Sequence, residues 1–183
     1  MTDFVQRIQA LFDGEGSQDY LGEEVSMATH MLQSGALAQA AGAEDQVVVA
    51  ALLHDIGHFT GAVSGAELMS GTDNDHDEAG AIWLSQWFDE PVLAPIRMHV
   101  DAKRYLCAVE PAYLSKLSEA SRYTLAVQGG PMAESEIAAF EALPHFEAAV
   151  AVRRWDDAAK DPQLPTPEFS EFAGLLRRVA VRS

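Results

Sequence analysis

The chain has 183 residues, 48% of them apolar, and a formal net charge of −16. That length and apolar content fit one domain with a real core, and the charge repels nucleic-acid phosphates, with no Lys/Arg block to offer a local exception. The single cysteine, Cys107, excludes an internal disulfide and a cysteine-based zinc site; with no basic leader and no run near the roughly 18 apolar residues of a membrane span, a soluble cytoplasmic protein without nucleic-acid or membrane partners is expected.

Helical spacing dominates the chain. Phe4, Ile8, Leu11 and Phe12 fall on one face of a first helix. A second helix is predicted over about Glu24 to Ala41, ended by Gly42, and a third after Asp45 that carries Val47 to Leu53 into His54 and Asp55 before Gly57 breaks it. Gly61, Gly65, Gly71 and the polar run Ser70 to Asp75 predict the longest loop, after which a helix resumes over about His76 to Phe88. Asp89 with Pro91 predicts the start of a helix through His99, Lys103 and Tyr105, with Pro95 too early to break it badly. Further helices are expected over about Pro111 to Val127, Glu134 to Leu143, His145 to Lys160 and Pro167 to Val179, set apart by Gly129-Gly130-Pro131, by Pro144, and by Pro162, Pro165 and Pro167. With no repeat and no internal boundary, the pattern is an all-α helical bundle in a single domain over 1–183.

The strongest local signal is His54-Asp55-Ile56-Gly57-His58, an imidazole and a carboxylate side by side at the end of a very apolar helix. Such groups are costly to bury unpaired, and a metal cation would offset the carboxylate and use the imidazole nitrogen. Asp55 has two oxygens and so can bridge two metals. Five of the six histidines, His30, His54, His58, His76 and His99, lie in the first hundred residues, on or beside predicted helices. Any one of them is more simply a hydrogen-bonded core or surface residue; together with the doublet they supply ligands for one or two first-row metals. His99 and Lys103 are four apart and Arg153 and Asp156 three apart, so each pair shares a helix face.

The order His30, His54-Asp55 and a late Asp156 resembles the HD-domain superfamily of metal-dependent phosphohydrolases, and the added His76 and His99 resemble its two-metal members. More specifically, Tyr20-Leu21-Gly22-Glu23, His54 to His58, His99 to Leu106, Leu117 to Leu125 and Gln128 to Met132 resemble the phosphonate-cleaving mixed-valent di-iron oxygenases of that superfamily, over about Tyr20 to Lys160. The resemblance implies that His30, His54 and Asp156 bind one iron and His76 and His99 the other, with Asp55 bridging an Fe(II)/Fe(III) pair. Asp156 is preferred over the adjacent Asp157 for its position after Trp155; Asp157 is then expected to be an ordinary exposed acid. Lys103, Ser121, Thr124 and Arg153 are implied to hold the phosphonate, whose oxygens accept strong hydrogen bonds from cations and hydroxyls. Tyr20 and Glu23 are implied to gate the metals, and His58 to orient or contact substrate.

The implied reaction uses O2 to cleave the C–P bond of an α-hydroxyphosphonate. From 2-amino-1-hydroxyethylphosphonate or its N-trimethyl analogue it would give phosphate and glycine or glycine betaine, and an α-hydroxylating oxygenase would supply the substrate. A quaternary ammonium favours aromatic faces, for which Tyr20, Tyr105, Tyr123, Trp83 and Trp87 are candidates. Two other readings stay open on the residues alone. One is a metal-dependent HD phosphohydrolase acting on a phosphate ester; the other is a non-catalytic HD module that binds a phosphoryl ligand.

Overall fold

Apolar periodicity and helix-end chemistry together account for the element order. In the computed structural model, which describes residues 3–17, 23–60 and 75–182, helix α1 (Phe4–Asp13) buries Phe4, Val5, Ile8 and Phe12, while Leu11 lies half-buried at the edge of that face. Helix α2 (Met27–Ala40) starts later than its composition predicts because the Ser26 hydroxyl accepts the Thr29 N–H at 3.1 Å and fixes the helix entry there. It stops before Gly42, whose φ of 72° lies in the left-handed region.

Helix α3 (Asp45–Leu53) is buried at every position from Val48 onward. A helix that is apolar all round needs neighbours on every side, and α3 is surrounded by α2, α6 (Glu90–Val109), α10 (Phe146–Ala158) and α11 (Phe169–Val179). After a turn at 54–56 come the single-turn helix α4 (Gly57–Thr60) and, beyond the undescribed 61–74, α5 (His76–Leu84). The glycine-rich loop expected there therefore lies almost wholly outside the described residues. Helix α6 runs unbroken through Pro95, and helix α5 ends at Leu84, before the expected Phe88.

One expected helix is two. The stretch predicted over Pro111 to Val127 divides into α7 (Tyr113–Lys116) and α8 (Glu119–Val127), because Leu117 is extended at ψ 142° and Ser118 caps α8 by accepting the Ser121 N–H at 3.1 Å. Helix α9 (Glu134–Glu141) packs on α6. The main core joins α1, α2, α3, α11 and the first half of α6; two smaller apolar clusters lie under α7 to α10. The buried histidines, Asp55, Asp156, Arg153 and Lys103 lie at the seam between them. No helix among the described residues is long and apolar enough to cross a membrane.

Candidate metal centre

Five elements bring one polar side chain or more to the seam: α2 contributes His30, the end of α3 His54 and Asp55, the start of α5 His76, α6 His99, and α10 Asp156. All six are at most 5% exposed. The two carboxylate oxygens of Asp55 face different partners. Oδ2 lies 3.6 Å from His30 Nε2 and 3.5 Å from His54 Nε2, whereas Oδ1 lies 3.4 Å from both His76 Nε2 and His99 Nε2. Asp156 joins the first group, with Oδ1 at 3.5 Å from His30 Nε2 and Oδ2 at 3.9 Å from His54 Nε2.

The histidine tautomers decide what these contacts mean. His30 Nδ1 donates to the Ala159 carbonyl at 2.9 Å and His54 Nδ1 to the Ala51 carbonyl at 2.9 Å, so a neutral ring in either place directs a bare lone pair from Nε2. Those two Nε2 atoms are 3.1 Å apart. Across the site His99 Nδ1 donates to the Ile96 carbonyl at 2.7 Å, and its Nε2 meets His76 Nε2 at 3.2 Å. Two such nitrogens at this distance share either a proton or a metal ion, and a metal-bound histidine commonly has its other ring N–H held by a carbonyl in this way. Donor atoms around a metal with bonds of ~2.1 Å stand roughly 3.0 to 3.4 Å apart in octahedral or tetrahedral arrays. The two His–His spacings and the Asp55 Oδ1 contacts fall in that range, while the Asp55 Oδ2 and Asp156 contacts of the first group, at 3.5 to 3.9 Å, run beyond it. Asp156 Oδ1 is buried without a hydrogen bond, as expected of an oxygen reserved for an ion. His30, His54 and Asp55 form one possible metal group, and Asp55, His76 and His99 a second.

Electrostatics agree with a cation-binding role. Burial would lower the proton affinity of His54, but the Asp55 and Asp156 carboxylates raise its pKa to about 9. Burial would raise the pKa of Asp156, but Arg153 and Lys160 hold it well below the usual carboxylate range. His58 stacks on His76 with centroids 4.1 Å apart and has Nε2 3.9 Å from Asp55 Oδ1. Burial and the neighbouring His76 push it down to about 3, so it is neutral.

Beside the carboxylates lies a basic wall. Lys103 Nζ donates to Thr124 Oγ1 at 2.9 Å, and Arg153 places Nη1 2.6 Å from Asp156 Oδ2. Burial, then the charge of Arg153, lower Lys103 to about 7. Ser121 and Thr124 share a face of α8, and Ser121 Oγ accepts from Lys160 Nζ at 3.0 Å. Glu23 precedes α2, and its Oε1 accepts from Ser118 Oγ at 2.6 Å. Tyr20 lies outside the described residues.

Two expectations, for Asp157 and Gly57, need correction. Asp157 is an ion-pair partner of Arg153 rather than an ordinary exposed acid: it accepts from Arg153 Nε at 3.2 Å and from Nη2, and from the Tyr113 hydroxyl, which itself accepts from Arg153 Nε at 3.1 Å. The aromatic candidates among the described residues, which the sequence does not assign to one pocket, lie apart. Trp83 and Trp87 pack on each other and Trp87 on Phe4, Tyr105 packs on Phe140 and Phe146, and Tyr123 is exposed. Gly57 starts a helical turn instead of only ending one, and its role is close approach: a Cβ there would stand 1.7 Å from the His76 carbonyl oxygen. Sequence reasoning also missed Lys160, four residues after Asp156 and thus signalled by helical spacing, and Gln33. Gln33 Nε2 donates to the carbonyls of Asp161 and Leu164 at 3.0 and 3.1 Å, anchoring the segment that follows the Ala159 carbonyl.

Comparison with known proteins places this geometry. A model of the HD-domain family matches residues 27–128, which covers every candidate ligand except Asp156. The chain is 44% identical over 177 residues to a [1-hydroxy-2-(trimethylamino)ethyl]phosphonate dioxygenase (glycine-betaine-forming) of Leisingera caerulea, covering 97% of this chain and 90% of the relative. It is 39% identical over 170 residues to a hydroxymethylphosphonate dioxygenase of Gimesia maris, covering 91% of this chain and 85% of that one.

Proposed function

The chain belongs to the HD-domain family, and from that premise we propose that it is a di-iron oxygenase that uses O2 to cleave the C–P bond of an α-hydroxyphosphonate. His30, His54 and Asp156 would hold one iron, His76 and His99 the other, and Asp55 would bridge them through its two differently directed oxygens. Nitrogen and carboxylate donors suit iron among other first-row metals. The whole chain acts as one unit in this reading, and it works in the cytoplasm after an α-hydroxylating oxygenase.

The stoichiometry balances. An α-hydroxyphosphonate plus O2 gives phosphate plus a carboxylic acid, with the C–P bond broken and one added oxygen in each product. An Fe(II)/Fe(III) pair bound at this centre would supply the O2 chemistry. The protein's part is binding, orientation and exclusion of water. Lys103, Arg153, Ser121 and Thr124 hold the phosphonate oxygens beside the Asp55 bridge, which sets the α-carbon next to the metal ligands. His58, neutral and stacked on His76, lines the same side as a substrate contact. Glu23, with Tyr20, serves as the gate.

The observation that carries oxygenase over hydrolase is the similarity to phosphonate dioxygenases over nearly the full chain, because the ligands and cations alone would suit a phosphate ester equally well. The test is phosphate release by iron-loaded protein from 2-amino-1-hydroxyethylphosphonate, its trimethylammonium analogue and hydroxymethylphosphonate, in air and under strict anaerobiosis. Oxygen-dependent release supports the reading and selects the substrate. Oxygen-independent hydrolysis of phosphate esters, with no release from the phosphonates, would overturn it.

A further inference from the structure

Three cations, Lys103 and Arg153 buried and a third half-buried, reach one side of the centre, and the reading above uses only Lys103 and Arg153. The third is Lys160, just past the end of α10, with a side chain 10% exposed. Its ammonium donates to Ser121 Oγ at 3.0 Å, as that of Lys103 donates to Thr124 Oγ1 at 2.9 Å. Two hydroxyls on one face of α8 thus each receive one lysine. Three acids among the described residues stand farther off: Asp156 Oδ1 at 3.4 Å, Glu23 Oε1 at 3.7 Å and Asp157 Oδ1 at 3.9 Å. A charge-assisted hydrogen bond is shorter, at roughly 2.7 to 2.9 Å, so a stronger acceptor would draw the ammonium away from them. Lys103 is destabilised as a cation by both Arg153 and Lys160, a repulsion that a doubly negative group placed among the three relieves.

We propose that Lys160 is a third cationic binding residue for the phosphonate group, acting with Ser121, and that Glu23 competes for its charge until the anion binds. The inference rests on the phosphonate reading above. Each of the three phosphonate oxygens then has its own cation: Lys103 with Thr124, Lys160 with Ser121, and Arg153. Glu23 is suited to a competing role because Ser118 Oγ already fixes its Oε1 at 2.6 Å on the Lys160 side.

The probe is methylphosphonate, which lacks both the α-hydroxyl and the nitrogen, titrated calorimetrically into anaerobic metal-loaded protein. Lys160→Met should weaken binding about ten- to a hundredfold, the loss expected for one charged hydrogen bond, at unchanged metal content, and Lys160→Arg should recover most of it. Glu23→Gln should tighten binding severalfold. Equal affinity of wild type and Lys160→Met overturns the inference alone. No binding by wild type, together with no phosphate release from the α-hydroxyphosphonates, overturns the phosphonate reading and this inference with it. If Lys160→Met loses its metals, Glu23→Gln decides: tighter binding supports the role of Lys160, and unchanged or weaker binding overturns it.

Discussion

Replacing Gly57 by alanine should detach one half of the metal centre from the other. A Cβ at Gly57 would lie 1.7 Å from the His76 carbonyl oxygen, 2.7 Å from its carbon and 2.8 Å from Gly80 N. These are all backbone atoms, so no rotamer change relieves the clash. Carbon and carbonyl oxygen meet at about 3.3 Å, so the first turn of α5 would have to retreat by about 1.6 Å. Metal–ligand distances tolerate only ~0.2 Å. His76, now 3.4 Å from Asp55 Oδ1, would leave the group it shares with His99, whereas His30, His54 and Asp156 sit on α2, α3 and α10 and stay in place. Overpacking of this kind costs about 1 to 3 kcal/mol, less than the roughly 5 to 15 kcal/mol that holds a domain together, so the chain remains folded. After loading with Fe(II) and desalting, elemental analysis should show metal falling from two per chain to one, with helical circular dichroism intact and oxygen-dependent phosphate release down ~100-fold or more. Gly174→Ala in α11 is the control, since its Cβ meets nothing within 4 Å, and it should keep both metals. A Gly57→Ala protein with two tightly held metals and near wild-type turnover would refute the reasoning.

The two adjacent acids should separate cleanly: Asp156→Asn should lose metal from the first group, whereas Asp157→Asn should keep both metals and raise KM for the phosphonate about tenfold or more by loosening Arg153, and equal metal loss from both variants would contradict this. The free-protein pKa of Lys103, about 7, means that above that pH the protein must take up a proton to bind the anion. Phosphonate affinity should therefore fall by up to about tenfold per pH unit there, and Lys103→Arg, which stays charged, should flatten the slope in calorimetric titrations. Metal uptake should run the other way with pH. His54 carries a proton up to about pH 9 without metal, so affinity in chelator competition should rise by up to about tenfold per unit toward that pH, and a flat profile would count against His54 as a ligand.

What could be read from the sequence was whatever is local. His54 and Asp55 are neighbours, Lys103 follows His99 by one helical turn, and Arg153 precedes Asp156 by slightly less, so helix geometry alone puts each pair together. Lys160 obeys the same rule relative to Asp156 and was legible in principle. The clamp on Arg153 was not, because Tyr113 lies 44 residues from Asp157 and meets it only after α7 folds back against α6 and α10. The role of Gly57 was hidden for a related reason: glycine reads as a breaker, and only the approach of α5 shows that the missing Cβ is what admits His76. The division of α7 from α8 had a local sign in Ser118, a residue suited to capping, but helical periodicity on both sides of it overrode that sign.

The His-Asp doublet works because it falls where a helix ends. In a continuous helix consecutive side chains diverge by about 100°, and two neighbours would not face one ion. Here α3 stops at Leu53 and the chain tightens into three-residue hydrogen bonds, Ile56 N to Leu53 O at 3.1 Å and His58 N to Asp55 O at 3.0 Å. That turn brings Asp55 Oδ2 to 3.5 Å from His54 Nε2 while Oδ1 points across to His76 and His99. Ending the helix also leaves carbonyls of its last turn without a helical donor, and one of them, Ala51, takes the Nδ1 proton of His54. Bridge and entry to α4 thus follow from one event, the end of a buried apolar helix just before a glycine. A His-Asp pair in mid-helix could still fix the histidine tautomer, as His99 does on the Ile96 carbonyl inside α6, but it would not turn both side chains toward one ion, so the signal in the sequence is the doublet together with what stops the helix around it.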